Sequence, residues 1–294
     1  MSTHGRIEAA TITATDLAAT EHAWTRHLEY TVADRGAIDT TLATTWGAPS
    51  QAGQDYVLLR PASGADVFIR LVEGSAPADC APRRTLGWAA LELTVTDADA
   101  LCARLRHSEL EILGKPRLLE NLAAFYPMQI AGAAGEVIYL NEVRDDLPTV
   151  DLPRARSPVD HLFIVILGAA DLSAARDFYR DRLRFEIDTV YEVPYTMINQ
   201  AFGFEPDRRH RLLTTRVGRR VNVEIDQYPS EATPRPSLEG MLPPAIAMIS
   251  FSVDNLAALE FTPAGTRLEP PYAGRPYAVC RGAAGELIEL IEAA

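Results

Sequence analysis

Apolar and polar residues along this chain follow one pattern, written four times. A strand-like run opens each copy, a helix-like run follows, and further strand-like runs broken by Gly and Pro close it. The opening strands are "IEAATITAT", "WAALELTV", "VDHLFIVIL" and "IAMISFSV", rich in the β-branched residues that suit a half-buried or buried pleat. Residues 16–30 align without a gap on residues 171–185, so that Leu17 matches Leu172, Trp24 matches Tyr179 and Leu28 matches Leu183. The aromatic and the leucine stand four apart, on one helical face, and Asp16 and Asp171 occupy the place of an N-cap. The second copy carries its helix in "TDADALCARLRH", and the fourth, "VDNLAALEFTPAG", leaves room only for a short one.

The pentapeptide Gly-Ala-Ala-Gly-Glu recurs at Gly132 and Gly282, leading into "VIYL" once and "LIEL" the second time. Between the two halves, residues 144–158 ("RDDLPTVDLPRARSP") interrupt the periodicity with prolines and charges and read as a linker. The expectation is therefore an N-terminal domain over 1–150 and a C-terminal domain over 151–294.

Composition narrows the partner. With 294 residues and 47% apolar content the chain can bury a sizeable core, and a formal charge of -12 opposes nucleic acid and anionic membranes. A small molecule is the expected partner. The N-terminal residues show no basic segment followed by an apolar one, and Cys80, Cys102 and Cys280 form no CxxC pair, which fits a reducing cytoplasm. Serine-hydrolase elbows, phosphate-cradling loops, dinucleotide fingerprints and HExxH zinc motifs are absent.

Four βαβββ modules, a "DL...FYRDRLRF" helix after a first strand and a closing "GELIEL" strand resemble the vicinal oxygen chelate superfamily of glyoxalases, bleomycin-resistance proteins, methylmalonyl-CoA epimerases and extradiol dioxygenases. The resemblance implies an α+β fold in which modules pair into two glyoxalase-like curved-sheet domains, each able to hold a divalent metal on its first and last strands. Carried across, those positions fall on Ala9, Arg70, Ala90 and Tyr139 in the first half, which would be metal-free, and on His161, Glu224, Met248 and Glu289 in the second. The implied metal ligands are His161, Glu224 and Glu289, holding iron(II), manganese or zinc; a thioether at Met248 departs from the pattern.

Each residue also has a plainer reading. His161 fits a core histidine, and Asn222, Glu224 and Asp226 alternate with apolar residues as a half-exposed strand would. Glu289 lies between apolar neighbours, where a carboxylate needs a compensating cation or donors. The aromatic stretch over residues 191–204, with Tyr191, Tyr195, Met197 and Phe202, suits a lid or wall for an apolar substrate, or equally a helix packed between halves or at a homodimer contact. Tyr272, Tyr277 and Met248 would line the same cavity, with Glu289 and His210 as acid–base groups. Two functions stay open: a metal-dependent lyase, isomerase or ring-cleaving dioxygenase, and a metal-free protein that sequesters a small molecule.

Overall fold

The computed structural model describes residues 3–119 and 122–294 and shows four modules, each opening on a strand that is buried along almost its whole length. The first module comprises β1 (Ile7–Ala14), α1 (Leu17–His22) continued by a π-helical turn (Ala23–His27), β2 (Thr31–Ala37), α2 (Thr40–Thr45), β3 (Asp55–Arg60) and β4 (Phe68–Glu73). The second has β5 (Gly87–Val95), α3 (Ala98–Leu105), β6 (Glu111–Gly114), β7 (Phe125–Ala131) and β8 (Val137–Val143). The third has β9 (Val159–Ala169), α4 (Leu172–Arg182), β10 (Glu186–Ile187), β11 (Tyr191–Pro194), α5 (Thr196–Phe202), β12 (Arg209–Val217) and β13 (Arg220–Gln227). The fourth has β14 (Ala245–Val253), a single 3₁₀ turn (Ala257–Leu259) where room for a helix was short, β15 (Gly265–Thr266), β16 (Pro276–Arg281) and β17 (Leu287–Glu292). As expected from the sequence, Asp16 accepts from the Ala19 amide and Asp171 from those of Ser173 and Ala174.

The modules join differently from the division into 1–150 and 151–294. An eight-stranded sheet runs β15-β16-β17-β14-β1-β4-β3-β2, and a nine-stranded sheet runs β10-β12-β13-β9-β5-β8-β7-β6 with β11 added on β12. The first module thus shares a sheet with the fourth through antiparallel β1–β14, and the second with the third through antiparallel β5–β9. Residues 144–158 link β8 to β9 inside one sheet. The physical reason is that every opening strand is buried and needs a partner on both sides; β4, β8, β13 and β17 supply one side, and another module's opening strand supplies the other.

One core, drawn from all four modules, fills the space behind the sheets, with Trp24, Trp88, Leu167, Tyr179, Phe251 and Ile288 among its members. The repeated pentapeptides lock into it. Glu136, buried, accepts from Trp24 Nε1 (2.9 Å) and from the Ala134 amide (2.9 Å); Glu286 accepts from the Tyr179 hydroxyl (3.1 Å) and the Ala284 amide (2.8 Å). Each turn therefore clasps the helix aromatic of the preceding module, which crosses from one sheet to the other. The glycine opening each turn is required by close approach, since a Cβ on Gly132 or Gly282 would lie about 2.2 or 1.9 Å from its own glutamate.

Candidate functional site

The opposite, concave face of each sheet is where the resemblance puts chemistry, and the two faces differ. On the eight-stranded sheet the face is filled. Glu289, fully buried, accepts at Oε1 from Tyr272 Oη (2.7 Å) and Trp46 Nε1 (3.1 Å) and at Oε2 from Ser250 Oγ (2.6 Å), and Arg70 Nη2 stands 3.5 Å from Oε2. Arg70 in turn donates to Thr11 and Tyr272 and lies over the Trp46 and Tyr272 rings. Ile38, Leu42, Trp46, Met248, Tyr277 and Ile291 close the space around this pair. Arg70 compensates the charge at Glu289, and α2 with Trp46 is the plug.

The nine-stranded sheet keeps a polar, partly open face. Alternation on β13 points Glu224 and Asp226 away from Val223 and Ile225, which belong to the core behind. Tyr195, at the start of α5, donates its hydroxyl to Glu224 Oε1 (2.8 Å) and accepts from Tyr139 Oη (3.3 Å). Glu92 on β5 is held by Asn141 Nδ2 (2.5 Å). Helix α5 covers this face, and a cavity of about 20 Å³, room for one water, lies between its Met197, Ile198 and Ala201 and the sheet residues Ala90, Tyr139, Ile166, Asp226 and Tyr228. Arg83 and Ala201 at its rim also border an outer groove of about 620 Å³.

Three carboxyl groups, none of them in an ion pair among the described residues, make this site electrostatically unusual. Burial, reinforced by the charge of Glu224, raises Glu92 to about 8 against the hydrogen bond from Asn141. Burial raises Glu224 as well, opposed by the Tyr195 hydroxyl and by Asp226. Asp226 is raised well above the carboxylate range, by burial and then by the charge of Glu224. Its Oδ1 is buried with no hydrogen-bond partner, and the residue lines the cavity. An orphaned buried oxygen is expensive unless something else engages it.

The metal set His161, Glu224 and Glu289 is not assembled. Glu289 lies on the eight-stranded sheet, the other two on the nine-stranded sheet. Strand β9 is long and its pairing with β5 slips twice near Leu93, so that Ile164 and Ile166 stand level with Glu92 and Glu224, while His161 sits nearer the strand's start. There burial lowers its pKa, Asp160 opposes, and Arg6, Arg156 and Arg220 add to the lowering. Among the described residues, neither concave face brings three His, Cys, Asp or Glu ligand atoms within one coordination sphere. The donors present do not fit a divalent ion at these positions, and an arginine already neutralises Glu289.

The other site residues divide likewise. Tyr195 and Met197 line the cavity, whereas Met248, Tyr272 and Tyr277 pack the opposite sheet. Tyr191 lies exposed on edge strand β11, and Phe202 stacks on Phe204 and meets Tyr228 edge-on at the margin. His210 is buried outside the cavity, its Nε2 2.7 Å from Asn199 Oδ1, fastening α5 to β12. Burial and then Arg208 depress its pKa, and its place makes it a structural clamp where the sequence suggested an acid–base group. Sequence reasoning missed Glu92, Tyr139, Asp226 and Tyr228. The alternation on β13 was the available signal: its polar face is the concave one, not solvent.

No protein-family model and no curated protein sequence matches the chain. Solved structures do. Glyoxalase I from Zea mays superposes with TM-score 0.64 at 14% identity, covering 98% of this chain and 92% of that one. A candidate dioxygenase from Bacillus subtilis gives 0.60 at 10% identity, covering 99% and 86%. Four modules in two curved mixed sheets, matched over nearly the full length, give this chain the same fold as these two structures.

Proposed function

We propose that the chain binds a flat, largely apolar small molecule carrying a protonated amine on the concave face of the nine-stranded sheet, beneath α5, and does so without a metal held by His161, Glu224 and Glu289. The observation that carries this reading is the buried, unpartnered Oδ1 of Asp226, a residue beside Glu224 that lines a cavity. An ammonium group placed there would meet two carboxyl groups in low dielectric and favour their ionised form. Tyr139, Tyr195, Tyr228 and Met197 would supply the aromatic and thioether contact for the rest of the ligand. The net charge of -12 favours the approach of a cation. Since the cavity holds about one water, entry requires α5 to shift toward the outer groove; α5 spans only Thr196–Phe202 and ends on left-handed Gly203.

A second reading rests on the same pair: two neighbouring buried carboxyl groups, both with raised pKa, are equipped for proton transfer to and from a bound substrate. Turnover separates that enzyme from a sequestering protein. Calorimetry with 1-naphthylmethylamine and its neutral counterpart 1-naphthylmethanol tests the site. The amine should bind at least about tenfold more tightly, roughly 1.4 kcal/mol, and Asp226→Asn should erase the difference. Equal binding of both compounds to the unaltered protein refutes the cation preference, and failure of both to bind refutes the cavity itself.

A further inference from the structure

Away from both concave faces, three ligating side chains meet on the surface where the first module touches the second. His22 ends α1, His27 ends the π-helical turn, and Glu109 lies in the loop between α3 and β6. Their side-chain donor atoms all lie within 4.8 Å of one another, and His27 Nε2 is 2.9 Å from Glu109 Oε2.

The local backbone explains the convergence. Five residues along a regular α-helix turn the side chain by about 140°, which would point His22 and His27 apart. Here the Leu28 amide donates to the Ala23 carbonyl (3.3 Å), an i to i+5 bond that widens the turn. Residues five apart then share a face, and the two imidazole centroids come to 5.9 Å with planes at 87°. Nothing in the packing of Trp24 and Leu28 requires histidines on the outer side of this turn. Arg104 donates to the His27 carbonyl and is neutralised by Glu29.

We propose that His22, His27 and Glu109 form a three-ligand surface site for a borderline transition-metal dication, Zn²⁺ being the reference ion, which fastens the π-helical turn of the first module to the second module. Two imidazoles and a carboxylate suit zinc, nickel or copper and disfavour calcium and magnesium, which take oxygen ligands. Tetrahedral zinc with bonds of about 2.0–2.1 Å needs neighbouring donors about 3.3 Å apart. His27 and Glu109 are already closer than that, and His22, exposed, has room to rotate inward. The outward position is left to water. Glu109 also lines the outer groove that Gln200 and Ala201 of α5 line, so the ion would stiffen part of that groove.

The site is tested on tag-free, chelator-stripped protein titrated with Zn²⁺ by calorimetry and with Co²⁺ by visible absorption. One ion per chain is expected, with tetrahedral cobalt bands that lack thiolate charge transfer. His22→Ala and His27→Gln should each weaken Zn²⁺ at least about tenfold and Glu109→Gln several-fold, while His161→Ala leaves it unchanged. His22 is exposed, so its variant keeps the fold, which near-ultraviolet circular dichroism verifies. Zn²⁺ affinity unaltered in both histidine variants, a thiolate band, or no binding at about 1 mM would each overturn the proposal.

Discussion

Replacing Glu92 by glutamine should make the protein more stable at high pH and leave it unaltered in acid. The side chain is 8% exposed, and burial with the neighbouring Glu224 lifts its pKa from the ordinary 4.5 to about 8. Between those values the folded chain holds a proton that the unfolded chain has released, so stability falls as pH rises through this window. The interval corresponds to about 5 kcal/mol at roughly 1.36 kcal/mol per pH unit, an upper figure for a group whose surroundings relax. The glutamine side chain would keep the oxygen that accepts from Asn141 Nδ2 and remain neutral at every pH. Urea unfolding at about pH 4.5 and about pH 8.5 measures the difference. The variant should match the parent at the lower pH and exceed it by about 2–5 kcal/mol at the higher one. A variant no more stable than the parent in the alkaline measurement, or one whose advantage is the same in both, would refute the assignment of a desolvated carboxyl at this position.

Three further outcomes follow from particular contacts. Glu289→Gln leaves the Arg70 guanidinium buried without its counter-charge and should cost about 3–5 kcal/mol in urea unfolding, with amine binding at the other sheet unchanged. Gly282→Ala forces the Glu286 carboxylate off its own turn, breaking the bonds from Tyr179 and the Ala284 amide, and should cost about 1–3 kcal/mol. His161→Ala, by contrast, should alter amine affinity less than about twofold, about 0.4 kcal/mol, since the ring stands away from Glu92 and Glu224 along β9.

Much of the architecture can be read from the residues. The four repeats, the capping aspartates, the paired helix aromatics and the shortened fourth helix all reappear, because each is a local consequence of periodicity or of unsatisfied amides. Which module shares a sheet with which is not local. Opening strands β1, β5, β9 and β14 present the same kind of apolar edge, and repetition cannot rank the pairings. That error propagated to the site. Tyr195 and Glu224 meet as neighbours within one face, but Glu289, Tyr272 and Met248 were joined to them only by assuming that the second half forms its own sheet. The segment "IDTTLATTW", which delivers Trp46 against Glu289, spaces Ile38, Leu42 and Trp46 four apart behind a capping Asp39, but that local helical stripe does not say which sheet face it covers.

The sheets join first to fourth and second to third modules, and the glutamate turns clasp first to second and third to fourth. The four modules therefore form a closed circuit, and the covalent chain merely opens it at one point. Gly5 and Ala293 lie side by side: the Gly5 amide bonds to the Ser252 carbonyl and the Ala293 amide to that of Val253. Joining the termini and reopening the polypeptide between Glu73 and Gly87 would leave each sheet built from consecutive residues, and that permutant should fold to the same shape. Cutting at 144–158 would instead strip all four opening strands of their cross-module partners at once, which is why neither half would be a separable unit.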